Sequence, residues 1–244
     1  MGMQLRRWNS LPDVMKTKEV RKYYNIIKRR QGSLKLKRVF DVVVASIMLI
    51  FLAIPMLVIA VCIKLDSRGP VFFRQERVTQ YGRIFKIYKF RTMVVDAPKL
   101  GASVTVDNDS RITRVGRVLR KIRADEFPQL FNILNGDMTL VGTRPAVPEY
   151  VKKYTKEMYA TLLLPAGLTS RTSIAYKDED KILAGAANPA EAYVNEVLPA
   201  KMMYNLEALK KFGFKEDCRV LWDTFASVVG NDRLSVTRRT GRKR

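Results

Sequence analysis

Not one histidine occurs in the 244 residues. That absence removes serine–histidine triads, cysteine–histidine pairs and histidine-ligated zinc. Cysteine is nearly missing too: Cys62 and Cys218 lie far apart, and Cys62 falls within an apolar run. Neither a disulfide framework nor a CxxC zinc site can be built from them. Acid is scarce, with 23 Asp and Glu against 45 Lys and Arg, for a net charge of +22. Such a balance implies an anionic partner: nucleic acid, an acidic membrane surface or a phosphorylated substrate. Internal repeats and low-complexity domains are also lacking. Any catalysis must therefore rest on Asp, Glu, Lys, Arg, Tyr or a hydroxyl. The length suffices for one large domain, or a domain with appendages, and for a sizeable core.

Residues 1–38 are polar and basic, from Arg6 and Arg7 to Lys35, Lys37 and Arg38. Val14, Val20, Tyr23, Ile26 and Ile27 are loosely spaced for one helix face. A surface-lying amphipathic helix, a disordered arm and a nucleic-acid arm all fit this pattern. The next segment, Val42–Ile63, is 22 residues without a charge. As a straight helix it reaches ~33 Å, against a hydrocarbon core of roughly 30 Å. It begins too late and runs too long for a cleavable signal peptide. Pro55 sits near its middle and predicts a kink, since proline cannot donate to the Phe51 carbonyl. Both flanks are basic: Lys35, Lys37 and Arg38 before, Lys64, Arg68, Arg74 and Arg77 after. The positive-inside rule then asks for both ends on one side of a membrane. A re-entrant hairpin broken at Pro55 satisfies that; a single span and a buried core helix remain open.

Residues 71–75 and 84–90 read as strands, with a turn at Thr79-Gln80-Tyr81-Gly82, so a β-hairpin is predicted. Its polar face carries Lys86 and either Lys89 or Arg91, which could line an anion site or simply face solvent. Residues 96–111 read as a loop. A basic helix is predicted at about Arg114–Ile122, a helix at 128–134, and a short strand at 139–141. Gly142-Thr143-Arg144-Pro145 then turns and presents one guanidinium. Beyond it the pattern predicts a helix over 149–163, a strand-like stretch over 169–176, and helices over 190–212 and 218–229. The tail from Arg233 is basic and predicted to be disordered.

Between the basic helix and the next one stands Asp125-Glu126-Phe127-Pro128-Gln129-Leu130. Proline is pre-organised for a helix start, which puts Asp125 and Glu126 at the positive end of the helix dipole. Two acids within a segment holding Arg117, Arg120, Lys121 and Arg123 suit a site handling phosphate and a divalent cation. A solvated helix cap is the plainer alternative.

Taken together, residues 36–229 resemble the bacterial sugar transferase family of polyprenyl-phosphate phosphoglycosyl transferases, in its small monotopic form. The resemblance rests on KRVFD (37–41), GPVFFRQERV…FKIYKFRTM (69–93), RITRVGRVLRKIRADEFPQLFNILNGDM (111–138) and LVGTRP (140–145). It implies transfer of a phosphosugar from a nucleotide diphosphate sugar, usually a UDP-sugar, to undecaprenyl phosphate at the cytoplasmic face of the bacterial inner membrane. It implies Asp125 as nucleophile and Glu126 as a Mg²⁺ ligand, with Asp125 also near the metal. Arg120, Arg144 and Pro145 match the family's basic and proline positions, and Lys89 and Arg91 fall in its strand motif. Lys37, Arg38 and Pro55 are the expected membrane-anchoring positions. Several positions depart from the usual pattern: Ile54 before Pro55, Thr79, Ala124, Phe127, Thr143, Ala166 and Thr172. The last two lie in a segment that could contact the donor.

The expected architecture is α+β, mainly helical with a small β-hairpin, in a monotopic membrane protein with a Pro-broken re-entrant helix. Its expected parts are a basic extension (1–36), the membrane helix–break–helix (37–66), a catalytic domain (67–230) and a basic tail (231–244). Mg²⁺, the nucleotide sugar, undecaprenyl phosphate and the membrane are the expected partners; nucleic acid is not, and a homodimer is left open. The competing reading is a non-catalytic basic protein that binds anionic lipid or nucleic acid at a membrane surface.

Overall fold

The computed structural model describes residues 3–97, 109–176 and 188–228. Most of the loop expected at 96–111, the acidic run after Lys177 and the basic tail lie outside these residues. What is described is mainly helical, with two small sheets.

Two helices open the chain. α1, Lys18–Arg29, is capped by Thr17, whose hydroxyl accepts from the Val20 amide. Its Val20, Tyr23, Tyr24 and Ile27 are buried against Ala160, Leu162, Leu163, Leu209 and Phe212. The N-terminal segment is thus an amphipathic helix folded onto the domain, because its apolar face finds a partner there.

α2, Gln31–Asp66, is one helix of 36 residues with Pro55 inside it. The break expected at Pro55 does not divide it into two elements. It is long and apolar enough to cross a membrane by length and composition. Leu34, Lys37, Asp41, Ala45, Met56 and Ile63 are buried against the rest of the chain. Val39, Val43, Ile50, Ile54, Leu57, Val61 and Leu65 are exposed. One stripe therefore packs on protein along most of the helix, while a wide apolar face has no protein over it.

Polar contacts pin α2 near both ends. Lys37 Nζ lies 2.8 Å from Asp217 Oδ2. Arg38 donates to the carbonyls of Ile133 (2.6 Å) and Leu134 (2.9 Å). Asp41 accepts from the Thr139 hydroxyl (2.5 Å) and the Leu140 amide (3.1 Å). At the far end, Asp66 accepts from the Val115 amide (3.0 Å), and Arg91 donates to the Ser67 carbonyl (2.7 Å) and hydroxyl (3.0 Å).

The expected hairpin is present. β1, Phe72–Val78, pairs antiparallel with β2, Ile84–Phe90, with Phe73 opposite Lys89 and Arg77 opposite Phe85. Next come α3, Arg114–Lys121, and α4, Gln129–Asn135, which Pro128 precedes and Gly136 ends. Asn132 on α4 is fully buried and bonds the outer edge of β2: it accepts from the Tyr88 amide (2.9 Å) and donates to the Lys86 carbonyl (3.0 Å). β3, Met138–Val141, pairs in parallel with β4, Ala166–Thr169.

Two expectations fail between and after those strands. Only α5, Pro148–Val151, and a 3-10 run, Met158–Leu163, form where a helix over 149–163 was predicted. The strand expected over 169–176 is the end of β4 followed by α6, Arg171–Ala175. Ser170 caps α6, its hydroxyl accepting from the Ser173 amide (2.9 Å), which turns the chain from strand to helix. The chain then forms α7, Pro189–Ala192, a π turn, Tyr193–Val197, α8, Leu198–Lys210, and α9, Phe214–Val228.

Candidate active site

Four segments meet around Asp125-Glu126. The pair occupies a 3-10 turn, Ala124–Glu126, entered through Arg123 at a left-handed φ of 56°. That sharp entry reverses the chain after α3 and turns both carboxylates inward rather than leaving them as a solvated cap. Lys89 arrives from β2. Arg144 arrives from the turn after β3, where Gly142 and Gly167 cross with no room for a side chain: a Cβ on Gly167 would sit 2.1 Å from the Gly142 amide nitrogen. The Gly142 amide donates to the Thr169 carbonyl (2.9 Å) and the Gly167 amide to the Thr143 carbonyl (2.8 Å), so the turn carrying Arg144 is held on both sides.

The Glu126 carboxylate is gripped twice. Arg144 Nη1 donates to Oε2 at 3.0 Å, and Nη2 donates to Oε1. Lys89 Nζ also donates to Oε1, at 3.1 Å, and lies 3.7 Å from Asp125 Oδ2. A bidentate guanidinium on a carboxylate is among the stronger polar pairings available to proteins. Burial disfavours the charged form of Glu126, but Arg144 and Lys89 outweigh it and hold the carboxyl well below the usual carboxylate range. Asp125 behaves oppositely. Burial pushes its pKa up and the Glu126 charge adds to that, against the pull of Lys89, Arg144 and Arg120. Burial likewise pushes the Lys89 ammonium down, with Arg144 adding repulsion and the carboxylates opposing. Two adjacent acids thus hold protons with different ease, which is how one site separates two roles.

The structure brings Asp125, Glu126, Lys89 and Arg144 into direct contact and places Arg120 close enough to act on Asp125. Pro145 contributes its carbonyl, which accepts from Arg77 Nη1 at 3.0 Å. Arg91 does not join the cluster. It lies just past the last residue of β2, Phe90, where the strand alternation no longer applies, and is buried at the end of α2, donating to the carbonyls of Arg68 and Ser67. Lys37 and Arg38 make contacts within the chain: one is in the ion pair with Asp217 and the other caps the carbonyl end of α4. Pro55 lies on the exposed apolar face of α2.

Sequence reasoning passed over Arg77, counted only as part of a basic flank, although its neighbour Gln75 and its alternation along β1 place it beside Pro145. It also missed Thr79 as a buried tie. The Thr79 hydroxyl donates to the Asp137 carbonyl (2.6 Å) and accepts from the Ala166 amide (3.1 Å). Gln129, fully buried in the first turn of α4, has neither amide atom hydrogen-bonded.

Among the described residues no group of three or more Cys, Asp or Glu side chains could hold a metal ion. Mg²⁺ is commonly held by one or two carboxylates together with water and substrate phosphates, and Asp125 and Glu126 are the adjacent carboxylates here, both Glu126 oxygens being engaged by Arg144 and Lys89.

Residues 32–231 match the family model described as bacterial sugar transferase. The chain is 45% identical over 134 residues, 53% of its length, to the UDP-N-acetylgalactosamine-undecaprenyl-phosphate N-acetylgalactosaminephosphotransferase of Aeromonas hydrophila, 32% of which is covered. It is 34% identical over 170 residues, 64% of its length, to the undecaprenyl-phosphate galactose phosphotransferase of Salmonella typhimurium, covering 35% of that protein. An exopolysaccharide production protein of Rhizobium leguminosarum is 47% identical over 112 residues, 46% of this chain and 56% of its own. The chain spans less than two thirds of each of these three relatives.

Proposed function

Because the chain belongs to the bacterial sugar transferase family, we propose that it moves a phosphosugar from a nucleotide diphosphate sugar to undecaprenyl phosphate. A UDP-sugar is the donor proposed, and initiation of a surface polysaccharide or related glycoconjugate is the purpose. The observation that carries this reading is a buried carboxylate, Asp125, held 3.7 Å from Lys89 beside a Glu126 locked by Arg144.

In the first step an Asp125 oxygen attacks the β-phosphorus of the donor. A new oxygen–phosphorus bond forms as the bond to the bridging oxygen breaks. The nucleoside monophosphate leaves with that electron pair, and the sugar phosphate remains on Asp125 as an acyl phosphate. In the second, a phosphate oxygen of undecaprenyl phosphate attacks the same phosphorus, giving the lipid diphosphate sugar and the free Asp125 carboxylate. Neither step needs a general base, which suits a chain without histidine. Lys89, Arg120 and Arg144 supply positive charge where the diphosphate charge builds up. Mg²⁺ held by Asp125 and Glu126 would neutralise further phosphate charge.

The proposed setting is the cytoplasmic face of a bacterial membrane, with both ends of α2 held on that face. What supports this is the anchoring of both ends of α2 to the same domain, from Lys37–Asp217 at one end to Asp66–Val115 at the other. Its exposed stripe of Val39, Val43, Ile50, Ile54 and Leu57 is then left for lipid.

The test is to incubate detergent-solubilised protein with a panel of nucleotide sugars and Mg²⁺, without lipid acceptor. Intact mass should rise by one phosphosugar as nucleoside monophosphate appears. Undiminished transfer by Asp125→Asn sinks the assignment. For topology, cysteines introduced before Lys37 and after Lys64 should label from the same side of a sealed membrane; labelling from opposite sides rejects the re-entrant reading.

A further inference from the structure

The catalytic cluster holds more positive charge than its own acids neutralise. Lys89 and Arg144 already serve Glu126 and Asp125. Behind them stands Arg77 on β1, half-buried, whose hydrogen bonds go only to neutral oxygens: Gln75 Oε1 (3.1 Å from Nε, 2.6 Å from Nη2) and the Pro145 carbonyl (3.0 Å). Among the described residues no carboxylate lies within ion-pair distance of it. Three contacts fix the fork, so it is aimed rather than loose. Burial and the nearby Arg144 push its pKa down to about 10, so it stays charged at neutral pH while lacking a counter-ion. A charge withdrawn from water without a partner is costly, and an incoming anion relieves that cost.

An aromatic pair lies near Arg77, one ring of it on α5, which packs against β1. Tyr150, on α5, and Tyr193, at the start of the π turn, have ring centroids 4.6 Å apart with planes inclined at 38°. Both act electrostatically on Arg77, as do Glu126 and Arg144, so the rings and Glu126 are both near this guanidinium. Tyr193 also packs on the cluster of Tyr154, Leu198 and Met202, and Lys201 Nζ sits 5.6 Å from its ring centroid. The ring is therefore held in place but remains half-buried rather than enclosed. π turns within helical runs recur at functional sites, where they redirect a side chain.

We infer that Arg77 and the Tyr150–Tyr193 ring pair form the subsite for the nucleotide half of the donor, Arg77 taking the α-phosphate and the rings stacking the base. The assignment rests on the donor reading given above and deepens it. Chemically, the diphosphate would bridge two cationic groups: Lys89 and Arg144 at the phosphorus that is attacked, Arg77 at the phosphate that leaves. A cation on the leaving phosphate stabilises the charge that develops as the bridging bond breaks. Every nucleobase has a π face, so the rings favour a base over a bare phosphate without choosing strongly among bases.

The experiment is equilibrium binding to the full-length, detergent-solubilised protein by titration calorimetry. The probes are four nucleoside 5′-monophosphates and ribose 5-phosphate, which lacks a base. Tyr193→Leu should weaken the tightest nucleoside monophosphate about 10-fold and leave ribose 5-phosphate unchanged. Arg77→Gln should weaken both, and Arg77→Lys, which keeps the charge, should recover part of the loss. A thermal melt of each variant shows whether it is folded. The proposal is overturned if folded Arg77→Gln and Tyr193→Leu bind the nucleotide as the wild type does while the wild type still forms the phosphosugar adduct. If the wild type binds the nucleotide through these residues but never forms the adduct, the covalent reading fails and the subsite stands.

Discussion

Lys37 and Asp217, 180 residues apart in sequence, meet in a buried ion pair at 2.8 Å that locks α2 to α9. Both side chains are nearly inaccessible, at 4% and 12% exposure. Removing one partner of such a pair leaves an uncompensated charge and costs about 3–5 kcal/mol. Lys37→Met should therefore lower thermal stability sharply, and Lys37→Met with Asp217→Leu should regain most of it. Melting curves of the two variants check this. A Lys37→Met protein as stable as wild type would mean that the lysine reaches lipid headgroups instead.

Arg91 should behave as a structural residue. Its donors satisfy carbonyls at the end of α2, and each charge-assisted bond contributes about 1.5–3 kcal/mol. Arg91→Gln is expected to lower the melting temperature by several degrees while the KM for the nucleotide sugar stays within about twofold. A large rise in KM in a well-folded variant would return Arg91 to the substrate site.

Arg144→Lys keeps the charge but loses the two-pronged grip on Glu126. The expected result is a fall in kcat/KM of about 10²–10³-fold, with the fold intact. Single-turnover formation of the phosphosugar adduct is the direct measurement, because it isolates the step at which Arg144 acts.

The two adjacent acids, Asp125 and Glu126, should give opposite stability signs. Asp125 has its pKa raised in the folded protein, mainly by burial. Its stabilising contribution is present below the unfolded pKa and lost as pH rises through the folded one. At neutral pH the ionised form thus weighs against folding, so Asp125→Asn should melt higher than wild type while forming no adduct. Glu126 is depressed by Arg144 and Lys89 despite its burial. Its contribution is present above the ordinary glutamate value and disappears as pH falls toward the folded pKa. Glu126→Gln should melt lower at neutral pH and show a flatter acid limb. Melts from pH 3 to 8 on both variants test the signs.

Much of this protein is determined by sequence alone. The uncharged run 42–63, the alternation in 84–90, and the acid pair ahead of Pro128 each declare a local structure through period, composition or turn chemistry. The missing histidine by itself narrows the groups available for catalysis. What lay beyond the sequence depends on contacts between distant segments. A continuous helix through Pro55 carries one face packed on protein, and that packing is invisible to a reading of residues 42–63. Lys37, Arg38 and Arg91 have the composition of surface cations, and only their partners (Asp217, the α4 carbonyls and the end of α2) make them internal ties. The Asp125-Glu126 stretch is the clearest case. Its sequence is compatible with a solvated cap, and the left-handed turn at Arg123 converts it into a buried pair. Lys89 from a strand and Arg144 from a distant turn then give the two acids different electrostatic environments. Burial and charge–charge distance are set by the assembled fold, and neither can be read from one segment at a time.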